Sequence, residues 1–210
     1  MSHVSDQIDR VNALTVPTIT DGDLTPAPAD LWRIRFVDSP HPLAWNELRT
    51  FGPVNGCRFD PQDPPPGDDV GNGVSYLGSS LETAVLEVFH QQRRIDRETM
   101  TPVVYRLQLR SRPLLLDLRS GWPSRLGIYQ EVSRLVYPAS QLLARRIRAA
   151  NPNVPGLLFH SARSGHGLNI VLWQPAAAEL HTAVLVESAP LADPRWNTEV
   201  AGIANRHGFV

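Results

Sequence analysis

The sequence predicts an α+β fold in a single domain, on three observations. Strand-like and helix-like segments mix without the regular βαβ rhythm that a doubly wound sheet requires. No internal repeat and no second domain interrupt the chain. Its 210 residues suit one large domain, which buries roughly 70% of its unfolded surface and needs no disulfide or metal to hold it.

The elements follow in order. Residues 1–29 are polar and carry Pro17, Pro26 and Pro28. They read as an N-terminal arm with one short helix near Ser5–Leu14, leaving 30–210 as the domain proper. LWRIRFV (31–37) is apolar and β-compatible and reads as the first strand. FDPQDPPPGDDVGNG (59–73) reads as a loop, because consecutive prolines and nearby glycines oppose both helix and ladder. VSYLG (74–78) is the next strand. Ser79 then stands three residues before Glu82, a capping-box spacing that opens a helix. Leu81, Ala84, Val85, Val88 and Phe89 follow with helical periodicity, giving an amphipathic helix of about three turns. PVVYRLQL (102–109) alternates as a half-buried strand and PLLLDL (113–118) is more apolar. PASQLLARRIRAAN (138–151) reads as a helix ending at Asn151-Pro152, and RRIR (145–148) within it as a solvated face. GLLFHS (156–161), NIVLWQ (169–174) and ELHTAVLVE (179–187) read as three strands, and RSGHG (163–167) as a turn. The tail 193–207 suits a short helix with Trp196, Val200 and Ile203 inward.

Composition excludes several classes. The formal net charge is -1, so nothing argues for nucleic-acid binding, and no polybasic run argues for a membrane surface. No apolar run approaches the ~18 residues of a membrane span. The first residues, MSHVSDQIDRVNAL, lack the basic start and apolar stretch of a signal peptide. The expected compartment is therefore the cytoplasm, and the single cysteine, Cys57, fits a reducing one. Phosphate-cradling glycine motifs are absent. The seven histidines form no H-E-x-x-H or Cys/His cluster, so no metal is expected. Ser161 lies in FHSAR, outside a G-x-S-x-G elbow.

A few residues stand out. Arg33 sits inside an apolar strand, where a charge needs a partner or a cleft. Arg58 in NGCRFD has Asp60 nearby for a surface salt bridge. Tyr76 lies near a strand end, where packing at the core edge is the ordinary role. Glu87 lies on the edge of the apolar stripe beside Ala84 and Gln91, which periodicity alone assigns to a solvated flank. Ser161 ends an apolar strand, where a serine usually bonds turn backbone. Cys57 reads as a core thiol.

Their order carries more than any one of them. LWRI with Arg33, GCRFD with Arg58, VSYLGSSLETAVLEVF with Tyr76 and Glu87 eleven apart, and GLLFHSAR followed by NIVLWQP with Ser161 and Asn169 together resemble the RES family, toxins of bacterial toxin–antitoxin modules. The resemblance covers most of 31–175. The family's namesake Arg, Glu and Ser fall here on Arg58, Glu87 and Ser161. Three departures are a long PQDPPPGDD loop between Arg58 and Tyr76, Asp60 where the family often has Asn or another small polar residue, and the additional N-terminal arm.

The resemblance implies ADP-ribosyltransferase-like mixed sheets with flanking helices, and NAD as a substrate consumed without metal. It implies Arg58, Tyr76, Glu87 and Ser161 as catalytic residues, with Arg33, Arg58, Tyr76, Ser161 and Asn169 binding NAD. Water as acceptor makes a glycohydrolase, inorganic phosphate a phosphorylase, and a protein side chain an ADP-ribosyltransferase. A non-catalytic nucleotide-binding module is the reading from another class. The implied partner is an antitoxin with a helix-turn-helix (Xre-type) part, and a homo-oligomer is compatible with the sequence.

Overall fold

The computed structural model describes residues 3–128 and 132–209. Ten strands and six α-helices are the named elements: α1 (His3–Ala13), β1 (Leu24–Pro26), β2 (Leu31–Phe36), β3 (Phe51–Gly52), β4 (Gly67–Asp68), β5 (Val74–Gly78), α2 (Leu81–Phe89), β6 (Pro102–Gln108), β7 (Leu114–Asp117), α3 (Trp122–Leu126), α4 (Tyr137–Ala150), β8 (Gly156–His160), β9 (Leu168–Trp173), α5 (Ala177–His181), β10 (Val184–Pro190) and α6 (Asn197–His207). The α+β expectation holds. Eight strands form one sheet in the order β1-β7-β8-β9-β5-β2-β6-β10, and β3 and β4 form a small second one. All pairs in the large sheet are antiparallel except β7–β8, so it is mixed.

The sheet divides in its middle. β5 pairs with β9 along its whole length, and β2 pairs with β6 along its whole length. Between themselves, β2 and β5 meet at Trp32 and Gly78 and then diverge. Farther along, Val74 exchanges backbone hydrogen bonds with Arg49 instead, at 2.8 and 2.9 Å. A cleft opens in the gap.

Helix α2 lies over the divided region, against β2 and β5. Its Leu81, Ala84, Val85 and Phe89 are buried with Ile34 and Val104 of the β2–β6 half and with Trp196, Val200 and Ile203 of the C-terminal segment, as the tail's pattern predicts. Helix α4 packs its Leu143, Ala144 and Ile147 into a second core with Phe59, Trp122 and Trp173. Val11 of α1 is buried in the same core, and Ile8, Leu14, Val16 and Ile19 pack against it. The residues before 30 are thus seated on the domain, and β1 adds an edge strand to β7. Among the described residues, no helix is long and apolar enough to cross a membrane.

Several local expectations need correction. The ELHTAVLVE segment is not one strand: Glu179–His181 ends α5, and β10 starts at Val184. Ala177–Leu180 faces the core through Leu180, so a short helix uses the apolar positions first. The 59–73 loop contains the two-residue strand β4, paired with β3 directly after the prolines. Helix α2 has nine residues, about two and a half turns at 3.6 residues per turn. The RRIR side chains are not a solvated face. Arg145 pairs with Asp63 at 3.2 Å, Arg146 bonds the Asn12 and Leu14 carbonyls, and Arg148 lies over the Trp173 ring. These long side chains lay their stems on the core and fasten the proline-rich loop and α1 to α4.

Candidate functional site

The cleft between β2 and β5 contains a cavity of about 280 Å³. Arg33, Arg35, Arg49, Arg58 and Arg163 line it, and Glu87 is the one carboxylate among the described lining residues. All six residues predicted for the site gather here, from segments far apart in sequence: Ser161 closes the site and the other five line the cavity wall.

Glu87 projects from α2, half-buried. Its Oε1 accepts from Ser161 Oγ at 2.6 Å and from Asn169 Nδ2 at 2.7 Å. No described protein group donates to its Oε2. One carboxylate oxygen is held and the other remains available to the cavity. Ser161 sits just after β8, and its Oγ also accepts from the backbone N–H groups of Arg163 and Ser164 at 3.1 and 3.2 Å. One donor and two acceptor positions are a hydroxyl's full capacity. Ser161 therefore serves Glu87 and the turn at once, rather than offering its hydroxyl to a ligand. Asn169 stands on β9 opposite Gly78 of β5. It uses one amide hydrogen on Glu87 and keeps its Oδ1 free of described partners. The RSGHG segment is a turn, as expected, with Gly165 at φ +64°. A side chain at Gly167 would strike Thr83 Oγ1 and Ser164 Oγ, so glycine lets this turn close against the start of α2.

The positive side of the cavity is unusually short of counter-charge. Arg33 is 4% exposed. Its Nη1 donates to the Trp45 carbonyl at 2.7 Å, but its buried Nε has no partner. Burial, then the like charge of Arg35, pushes the Arg33 pKa well down. Arg35 itself is pushed down to about 10, mainly by burial. Arg58 does not form the expected bridge to Asp60. Its Nη1 donates to the Leu135 carbonyl at 2.5 Å, and its guanidinium lies 5.4 Å from the Tyr137 ring centre. Asp60 is taken by Arg49, whose Nη2 lies 2.7 Å from both carboxylate oxygens.

Tyr76 stands on β5 opposite Val171. Its hydroxyl donates to Asp60 Oδ1 at 2.6 Å and accepts from the Phe59 N–H at 3.3 Å. Burial, then the nearby Cys57 and Asp60, raises its pKa well above the usual value, so it is a neutral phenol. Cys57 also lines the cavity. Burial first, then Asp60, pushes its thiol up to about 11, which leaves little thiolate for nucleophilic work. Among the described residues, no group of three or more His, Cys, Asp or Glu could hold a metal ion. The sequence reading missed Arg35, which shares the apolar strand with Arg33, and it missed Arg49 and the central place of Asp60, which look like ordinary surface charges.

Glu82 does not cap its helix. The S-x-x-E spacing points to Ser79, but Ser79 Oγ accepts from the Leu168 N–H at 3.0 Å. The cap is Ser80, whose Oγ accepts from the Thr83 N–H at 3.1 Å. Glu82 instead receives Arg206 at 2.7 Å and His207 at 2.6 Å from α6. Burial alone would raise its pKa, but these hydrogen bonds outweigh burial and hold it below 4.5. A carboxylate depressed in the folded state stabilises above its unfolded pKa, and that stability fades as pH falls through the folded one. Glu82→Gln is expected to cost up to about 1 kcal/mol near neutral pH, with the gap to wild type closing in acid and the cavity unaffected. Thermal unfolding of both chains across that range checks it. A gap that widens in acid would contradict this account.

A family model described as the RES domain matches residues 30–197. Among solved structures, the chain is similar to one in the crystal structure of the M. tuberculosis MbcT–MbcA toxin–antitoxin complex, with 15% sequence identity and a TM-score of 0.58. That similarity covers 93% of this chain and 97% of the other. No curated protein matches the sequence.

Proposed function

Because the chain belongs to the RES family, whose domain occupies residues 30–197, we propose that it is an NAD-consuming toxin that breaks the nicotinamide–ribose bond and is restrained by a cognate antitoxin. The observation that carries the proposal is the pairing of a half-held carboxylate with arginines that lack anionic partners, around one cavity. A buried cation without a counter-ion is costly, and a diphosphate removes that cost for Arg33 and Arg58. The planar guanidinium fork suits phosphate oxygens without a glycine loop or a metal.

The chemistry needs little more. The ring nitrogen of nicotinamide in NAD is already quaternary. When the C1′–N bond breaks, both its electrons go to the ring, and nicotinamide leaves neutral without taking a proton. No general acid is required, so one carboxylate suffices where glycosidases use two. The ribose becomes oxocarbenium-like, and the free Oε2 of Glu87 stabilises that positive charge. Ser161 and Asn169, by holding Oε1, keep the carboxylate aimed. Tyr76 offers the leaving ring an aromatic wall. An acceptor, water or inorganic phosphate, then attacks C1′.

A chain that drains NAD must be silenced in its own cell. The partner proposed is a small helix-turn-helix antitoxin whose C-terminal segment enters the cleft. Induced expression of this chain alone should lower cellular NAD before growth stops, and co-expression of an adjacent antitoxin gene should prevent both. Undiminished NAD at verified expression would sink the proposal.

A further inference from the structure

We infer that Asp60 is the positioning residue of the site, fixing the Tyr76 ring at the cavity wall through the Tyr76 hydroxyl. The inference rests on the NAD reading and extends it to a residue outside the substrate contacts.

Asp60 is fully buried and its carboxylate is saturated. Besides Arg49 and the Tyr76 hydroxyl, it accepts from the Val54 N–H at 2.7 Å. These bonds close a ring. Asp60 holds Tyr76, Tyr76 lies two residues from Val74 on β5, Val74 pairs with the Arg49 backbone, and the Arg49 side chain returns to Asp60. The ring bridges the stretch where β5 has lost its β2 partner, so it replaces the missing ladder beside the cavity. It also places the phenol oxygen. With Asp60 accepting its proton and the Phe59 N–H donating to it, the hydroxyl is used from the protein side. Tyr76 then meets substrate with its ring face, and the hydroxyl acts as an anchor. Asp60 also neutralises Arg49, which leaves Arg33, Arg35, Arg58 and Arg163 as the cavity arginines without a carboxylate partner among the described residues.

Asp60→Asn keeps the side-chain shape but gives up one acceptor oxygen and the charge. Nicotinamide release should show kcat reduced at least about tenfold. Inhibition by ADP-ribose, which carries the diphosphate but no nicotinamide, should weaken by no more than about twofold, because the Arg49 charge uncovered by the substitution can only favour the diphosphate. A merely structural role would disturb both together. Tyr76→Phe removes the same bond from the other side, and the double variant should be no slower than Asp60→Asn alone. Wild-type kcat in a folded Asp60→Asn chain, parallel loss of ADP-ribose binding, or multiplicative effects in the double variant each overturn the inference. If Asp60→Asn does not fold, Tyr76→Phe decides alone. A kcat drop of about threefold or more with unchanged ADP-ribose inhibition supports the inference, and an unchanged kcat overturns it. A silent wild-type chain would overturn the NAD reading and this inference together, whereas an active wild type with an unaffected variant overturns this inference only.

Discussion

Replacing Glu87 by Gln should lower nicotinamide release by about 10²–10³ while NAD still binds, the range found when one preorganised electrostatic contact to a developing charge is lost. The structure makes this a clean substitution. Gln keeps an Oε1 that can go on accepting from Ser161 and Asn169, so the side chain stays in place and only the charge facing the ribose disappears. Loss of kcat with little change in NAD affinity is the signature of an interaction realised only in the transition state. Steady-state turnover and NAD binding measured on the same preparations separate the two. If Glu87→Gln turns over near the wild-type rate while Glu82→Gln is dead, the carboxylate has been assigned to the wrong turn of α2.

Arg33→Met should move stability and affinity in opposite directions. The guanidinium is buried with a single protein hydrogen bond and an unpartnered Nε, and an apolar side chain of similar length removes that uncompensated charge. The melting temperature should hold or rise, because replacing buried charge by packed apolar atoms is often neutral or stabilising. The KM for NAD should rise about 10- to 100-fold, which corresponds to the 1.5–3 kcal/mol of a hydrogen bond to a charged group. Arg58→Ala should weaken NAD in the same direction, without the gain in stability, because it also leaves the Leu135 carbonyl without its donor. A lower melting temperature with unchanged KM in Arg33→Met would make Arg33 a structural residue.

The parts of the molecule that were readable in sequence are those set by local rules. The β5–α2 unit follows from a strand, a serine cap and helical periodicity: of the predicted stripe Leu81, Ala84, Val85 and Phe89 are buried and Val88 is partly buried, while Thr83 and Leu86 are buried outside it. The cap was misplaced by one residue because two serines adjoin, and the one at capping-box spacing is occupied by the Leu168 backbone. Glu87 illustrates the limit of periodicity. It does lie off the apolar stripe, yet that flank faces the cleft rather than solvent, because β2 and β5 part beneath it. Such a division of the sheet leaves no mark in either strand's own pattern. Asp60 was unreadable for a related reason. In a proline- and aspartate-rich stretch it resembles its exposed neighbour Asp63, and only the meeting of loop 54–60 with β5 buries one and leaves the other in water. The ordered Arg–Tyr–Glu–Ser set could be read as a resemblance, while Ser161's service to Glu87, rather than to a ligand, required the coordinates.

The most direct measurement is the appearance of free nicotinamide when the purified chain, separated from any antitoxin, is mixed with NAD. It should be run in plain buffer and with inorganic phosphate, each with and without a chelator. This account predicts nicotinamide release in at least one of these acceptor conditions, undiminished by the chelator and lowered about 10²–10³-fold by Glu87→Gln. NAD left intact under both acceptor conditions would contradict it.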